Sequence, residues 1–152
     1  MGCRLRHPNI VPIFEVVTDG RFTHFLVMEF VEGTDVSQMI KAQGRLQPDH
    51  ALAITAHVCD ALQYAHGNGV VHRDIKPANI LLDAGHAVVA DFGIARAIGE
   101  GESTTGHVIG TPAYMSPEQI DGSKYLDGRT DIYSLGCVLF EMLVGQAPFR
   151  GS

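Results

Sequence analysis

The stretch His72-Arg73-Asp74-Ile75-Lys76-Pro77-Ala78-Asn79-Ile80-Leu81-Leu82, with Asp91-Phe92-Gly93 downstream, decides the reading of this chain. Between the two motifs, Ile80 to Asp83 and Ala87 to Ala90 are short apolar runs around Ala84-Gly85-His86. That pattern predicts two antiparallel strands joined by a three-residue loop with glycine at its centre. A loop centred on Gly85 sets Asn79 opposite Asp91. An amide oxygen and a carboxylate then converge, with no His or Cys beside them that softer metals would prefer. Such a pair suits Mg²⁺ held jointly with the phosphates of a nucleotide. Asp74 can face a hydroxyl across that metal, and Lys76 can neutralise a phosphoryl group in transfer.

Outward from this centre, Ile10 to Val17 and His24 to Val31 are β-rich and flank the turn signal Thr18-Asp19-Gly20-Arg21, so they read as an antiparallel hairpin. Val36 to Ala42 reads as a short helix. Pro48 opens a longer one, in which Ala51, Ile54, Thr55, Val58, Leu62 and Ala65 recur at three- and four-residue steps up to Gly67 or Gly69. Residues 92–128 are rich in Gly, Ser, Thr and Pro and read as a long loop with one helical turn near Pro117 to Ile120. From Thr130 to Val144 the apolar residues Ile132, Leu135, Val138, Leu139, Met142 and Leu143 run nearly all round, which predicts a buried central helix stopped by Gly145.

The chain has 152 residues, 45% of them apolar, in the range of one globular domain that buries about two thirds of its unfolded surface. Seventeen acidic against eleven basic residues give a net charge of -6, which argues against a nucleic-acid or anionic-membrane surface. Cys3, Cys59 and Cys137 show no metal or disulfide spacing. The start, Met1-Gly2-Cys3-Arg4-Leu5-Arg6, lacks the apolar core of a secretory signal, and no run is long enough to span a bilayer; the expected location is cytoplasmic. Histidines 7, 24, 50, 57, 66, 86 and 107 form no ligand pattern and read as structural or surface residues.

HRDIKPANILL, DFGIARAI and GTPAYMSPE, in this order and spacing, resemble the eukaryotic-type protein kinases, most closely the bacterial Ser/Thr kinases of that family. The resemblance implies an α+β, protein-kinase-like fold. It implies that Asp74 orients the substrate hydroxyl and accepts its proton, that Asn79 and Asp91 hold Mg²⁺, and that Lys76 contacts the phosphoryl group of ATP. Met28 would guard the back of the adenine pocket, Glu29 and Val31 would lie in the segment whose backbone bonds the purine, and Leu81 would lie under the ring. Ile13, His72 and Phe92 match three members of the apolar stack of an active kinase, and Phe92 would set the active or inactive position.

The stretch from Gly93 to Ser116-Pro117-Glu118 would be the activation segment. Ser103, Thr104 and Thr105 lie at its centre, and a phosphate there could be captured by Arg73. Thr111 would hydrogen-bond near Asp74 and Lys76 and help select hydroxyl substrates. Asp131 resembles the residue that accepts bonds from catalytic-loop amides, and Glu118 the one that pairs with an arginine further on. The implied partners are proteins with Ser or Thr hydroxyls, with a kinase dimer for autophosphorylation allowed.

The glycine-rich loop, the third-strand lysine and the helix glutamate of a kinase are not found; the lysines are Lys41, Lys76 and Lys124. The domain reading is therefore a partial kinase domain over 1–152, with 1–34 the remnant of the small lobe and hinge, and 35–152 the large lobe without its last helices. The expectation is a fragment of a longer kinase, or one frame of an interrupted gene, that turns over far more slowly than an intact enzyme. Exposed apolar area and an unpaired edge are expected on the hairpin, together with loss of cover on one side of the Thr130 to Val144 helix and a buried Glu118 without its partner. The alternative carried beside it is a non-catalytic truncated lobe that binds proteins; small-molecule phosphotransferases are disfavoured by Lys76 and the long Ser116-Pro117-Glu118-terminated segment.

Overall fold

The computed structural model of the chain describes residues 5–18, 20, 24–92 and 112–149. Strands β1 (Ile13–Thr18) and β2 (His24–Met28) form the expected antiparallel hairpin, with a bulge between Ile13 and Glu15. Phe14, Val16, Val17, Phe25 and Val27 on this two-stranded sheet are exposed, as the sequence led us to expect. The hairpin is tied to the rest of the molecule through the chain just before it. Asn9 is buried, its Nδ2 donates to Ala87 O (2.9 Å), its carbonyl accepts from Val89 N (2.8 Å), and Val11 N donates to Val89 O (2.9 Å).

The second sheet is three-stranded: β3 (Thr34–Asp35), β4 (Ile80–Asp83) and β5 (His86–Val89), in that order. β3 is two residues long, too short to leave a periodic signal. Gly33 lies so close to β4 that a Cβ there would fall 1.9 Å from Leu82 O, so only glycine lets the chain pass. Helix α1 (Val36–Gln43) follows at once, capped by Asp35, whose carboxylate accepts from Gln38 N (2.9 Å). Helix α2 (Pro48–Gly67) buries Ala51, Ile54, Val58, Ala61, Leu62 and Ala65 on one stripe, matching the predicted period.

The β4–β5 register differs from the sequence expectation by one residue. Ile80 pairs with Val89 and Asp83 with His86, so the loop has two residues, Ala84 and Gly85, and Asn79 lies opposite Ala90 rather than Asp91. Both loop residues have positive φ (47° and 83°), the requirement of the tight primed turn whose twist matches the strands. Alanine tolerates that conformation poorly. Ala84→Asn is therefore expected to stabilise the chain by about 0.5–1 kcal/mol, read as a rise of about 1–4 °C in thermal midpoint.

Two short pieces, a turn of 3₁₀ helix at Pro112–Tyr114 and helix α3 (Pro117–Ile120), lead into helix α4 (Gly128–Val144), which Gly145 ends at φ 89°. α4 is not buried all round. Thr130, Asp131, Ser134, Leu135, Cys137, Val138 and Met142 face inward, whereas Ile132 and Phe140 are 53% and 44% exposed. Apolar composition reports what a helix face could bury, not whether a neighbour covers it. The core lies between α1, α2, α4 and the three-stranded sheet, built from Val36, Ile54, Leu62, Ile75, Ile80, Val89, Val138 and Met142 among others. Among the described residues, no helix is long and apolar enough to cross a membrane.

Candidate active site

The segment between α2 and β4 carries the candidate residues Asp74, Lys76 and Asn79, and it is held from beneath by α4. Asp131, fully buried, accepts from His72 N (2.8 Å, Oδ2) and Arg73 N (2.8 Å, Oδ1), and His66 Nε2 lies 2.7 Å from Oδ2. Gly128 makes room for this third contact, since a Cβ there would fall 2.4 Å from the His66 ring. Sequence reasoning found Asp131 but treated His66 only as a structural or surface residue. Its partner is 65 residues away, and neither residue advertises the other.

Arg73 sits at φ 71° and Asp91 at φ 68°, left-handed conformations that L residues adopt at a cost and that neighbouring contacts must hold. The peptide unit before Asp91 is held on both sides: Ala90 N donates to Asn79 O (2.9 Å), and Ala90 O lies 2.8 Å from His72 Nε2. His72 Nδ1 accepts from Asp74 N (3.1 Å), which fixes the proton on Nε2 and makes Nε2 the donor to Ala90. The His72 ring also meets Phe92 edge to face at 4.6 Å, so two of the predicted stack members touch. A single buried imidazole thus links the strand end before Asp91 to the backbone of Asp74.

Burial holds His72 below its ordinary pKa of 6.5, against smaller opposing effects from Ala90 O and nearby carboxylates. In the unfolded chain the ring protonates first as pH drops, so the unfolded state binds more protons below about 6.5. The stability this group contributes is complete above that value and is lost as pH falls through the lowered folded value. Thermal midpoints are expected to fall between about pH 7 and about pH 5, with a shallower slope in His72→Phe. An equal slope in both proteins would count against this assignment.

Asp74 is half-buried, with Oδ2 3.1 Å from Lys76 Nζ and 3.3 Å from Asn79 Nδ2; Asn79 Nδ2 also donates to Asp74 O (2.9 Å). Asp74, Lys76 and Asn79 are thus brought together as the sequence suggested, and Asp91 follows the residue that pairs with Asn79. On the other side of the loop, Gln119 Nε2 donates to Arg73 O (2.8 Å). Glu118, expected to be buried and partnerless, is neither. It is half-exposed and accepts from Thr130 Oγ1 (2.8 Å), and this bond, with its own backbone amide, holds its carboxyl below the usual range. Ser103, Thr104, Thr105 and Thr111 lie outside the described residues.

Met28 ends β2 opposite Ile13, and Leu81 is half-buried on β4 opposite Asp35. Glu29 donates its N–H to Pro12 O (3.0 Å). A cavity of about 510 Å³ brings Glu29 and Val31 together with Leu5, Pro8, Ile13 and Phe14. Met28, Leu81, Asp74, Asn79 and Asp91 do not line it, so it is distinct from the polar cluster.

A family model described as a protein kinase domain matches residues 1–152. The chain belongs to the protein kinase family. It is 46% identical over 153 residues to the serine/threonine-protein kinase PknB of Mycobacterium leprae, covering 97% of this chain and 24% of that protein. The match to PknB of Mycobacterium tuberculosis is 46% over 154 residues, with 97% and 24% covered. Among solved structures, a mutant form of the Mycobacterium tuberculosis PknI kinase domain superposes with a TM-score of 0.77 at 32% identity, covering 97% of this chain and 54% of that one. This kinase chain therefore spans about a quarter of the length of the curated relatives it matches.

Proposed function

We propose that this chain is a catalytic core that transfers the γ-phosphoryl group of ATP to Ser and Thr hydroxyls of proteins. The observation that carries the reading is the Asp74 carboxylate, held within 3.1 Å of Lys76 Nζ and 3.3 Å of Asn79 Nδ2 on a loop whose backbone Asp131 fixes. Asp74 orients the hydroxyl and accepts its proton, and Lys76 offsets negative charge on the group in transfer. Thr111 helps select hydroxyl substrates.

The residues present fit Mg²⁺. Asn79 uses its Nδ2 toward Asp74, which leaves its amide oxygen as a ligand, and among the described residues no hydrogen bond or ion pair engages the Asp91 carboxylate. Hard oxygen donors of this kind are what Mg²⁺ takes. Bound there by Asn79 and Asp91, the ion supplies charge neutralisation to phosphate oxygens. Met28, Glu29, Val31 and Leu81 form the purine side; with the Glu29 N–H given to Pro12, the Glu29 carbonyl and the Val31 N–H are the groups offered to the base.

Residues 1–34 act as small-lobe and hinge chain and 35–152 as large lobe. Arg73 and Phe92 are the switch residues, with Ser103, Thr104 and Thr105 as phosphate acceptors, in a cytoplasmic kinase that also phosphorylates a second copy of itself. His72, Glu118 and Asp131 are structural supports. The test is transfer from γ-labelled ATP to an acceptor protein, with and without Mg²⁺, by the chain alone and by a version extended upstream with a complete small lobe. Mg²⁺-dependent transfer by the extended version, reduced in Asp91→Asn, is expected. Transfer by neither version, or transfer indifferent to Mg²⁺, contradicts the reading.

A further inference from the structure

We infer that Gln119 is a positioning residue that latches the segment around α3 to the catalytic loop and so fixes the peptide group carrying Asp74; only its catalytic readout rests on the phosphotransfer reading. Two adjacent, fully buried α4 residues, Thr130 and Asp131, run hydrogen-bond arms to the two ends of Arg73. The first arm is direct, from Asp131 Oδ1 to Arg73 N (2.8 Å). The second passes through three side chains. Thr130 Oγ1, having given its proton to Glu118, accepts from Ser116 Oγ (3.2 Å); Ser116 N donates to Gln119 Oε1 (3.1 Å); Gln119 Nε2 donates to Arg73 O (2.8 Å).

The two backbone partners of Gln119 are of opposite polarity, an N–H and a C=O, so only a carboxamide in this one orientation satisfies both. Arg73 needs such a clamp. At φ 71° it is in a conformation that relaxes unless its surroundings hold it, and its carbonyl belongs to the same peptide group as the Asp74 N–H. Rotation of that group moves the Asp74 carboxylate directly, and it would also break the Asp74 N to His72 Nδ1 bond. Gln119 therefore couples the position of the segment around α3 to the aim of the catalytic carboxylate.

The isostere Gln119→Glu keeps the acceptor for Ser116 N but sets an oxygen against Arg73 O, whereas Gln119→Ala loses both bonds. The experiment measures hydrogen exchange at the Asp74 amide and thermal midpoint in the chain and these variants, and kcat and KM for ATP in the same variants of the version extended upstream with a complete small lobe. For Gln119→Glu, Asp74 exchange is expected to quicken about three- to tenfold and kcat to fall by a similar factor, with KM and the midpoint nearly unchanged. Gln119→Ala should add a loss of midpoint. Should Gln119→Glu fail to fold, Gln119→Met, with neither donor nor charge, carries the same test. Parent-like Asp74 exchange in the folded variant overturns the inference. If the version extended upstream with a complete small lobe transfers no phosphate, the phosphotransfer reading fails, and the exchange rates alone still decide the role of Gln119.

Discussion

Asp74→Asn is expected to lower phosphoryl transfer by about 10²- to 10⁴-fold and to leave the fold intact. The substitution keeps the shape of the side chain and removes its basicity, so a hydroxyl can still be positioned but its proton has no acceptor. The Lys76 contact at 3.1 Å is lost as an ion pair, but both partners are partly exposed, and such pairs contribute only about 0–1 kcal/mol. The backbone bonds that shape the loop, from His72, Arg73 and Ala90, do not involve the Asp74 carboxylate. Steady-state assay beside a melting curve checks both halves. A large loss of midpoint would mean that Asp74 is a structural residue first.

Asp131→Ala should do the reverse, and strongly. Its carboxylate is fully buried and is the acceptor for two backbone N–H groups, with His66 as a third partner. Removing it strands the buried His72 amide and the part-buried Arg73 amide, at about 1–3 kcal/mol each. A total loss of about 3–5 kcal/mol is expected, which corresponds to a midpoint lower by about 6–20 °C. Transfer should fall with it, because Arg73 loses the bond that helps hold φ at 71°. Asp131→Asn keeps one acceptor and should fall between parent and Ala. A midpoint in Asp131→Ala within a degree or two of the parent would contradict this account of the loop.

The candidate site was legible in the sequence because its residues are packed into two short motifs, and Asp74, Lys76 and Asn79 meet in space as their spacing implied. Helices α1 and α2 were legible for the usual reason, an apolar stripe between clear start and stop residues. The β4–β5 register was misread by one because Ala84 adopts a positive φ that alanine seldom takes, so the sequence suggested the longer loop. Long-range polar contacts were largely hidden. His66 and Gln119 each reach a site residue far along the chain, and no local pattern distinguishes them from surface residues. Glu118 was expected to lack a partner because Thr130, only twelve residues on but in another element, could not be recognised as one. The exposed side of α4, with Ile132 and Phe140, is the side expected to lack cover, although its apolar composition alone reads as burial all round.

The most direct test of the central claim is phosphoamino-acid analysis after incubation with γ-labelled ATP and Mg²⁺, using the version with a complete small lobe beside its Asp74→Asn counterpart. The account predicts label on serine and threonine, none on tyrosine, and almost none in the Asp74→Asn protein. Label that persists without the Asp74 carboxylate, or that appears on tyrosine, would contradict it.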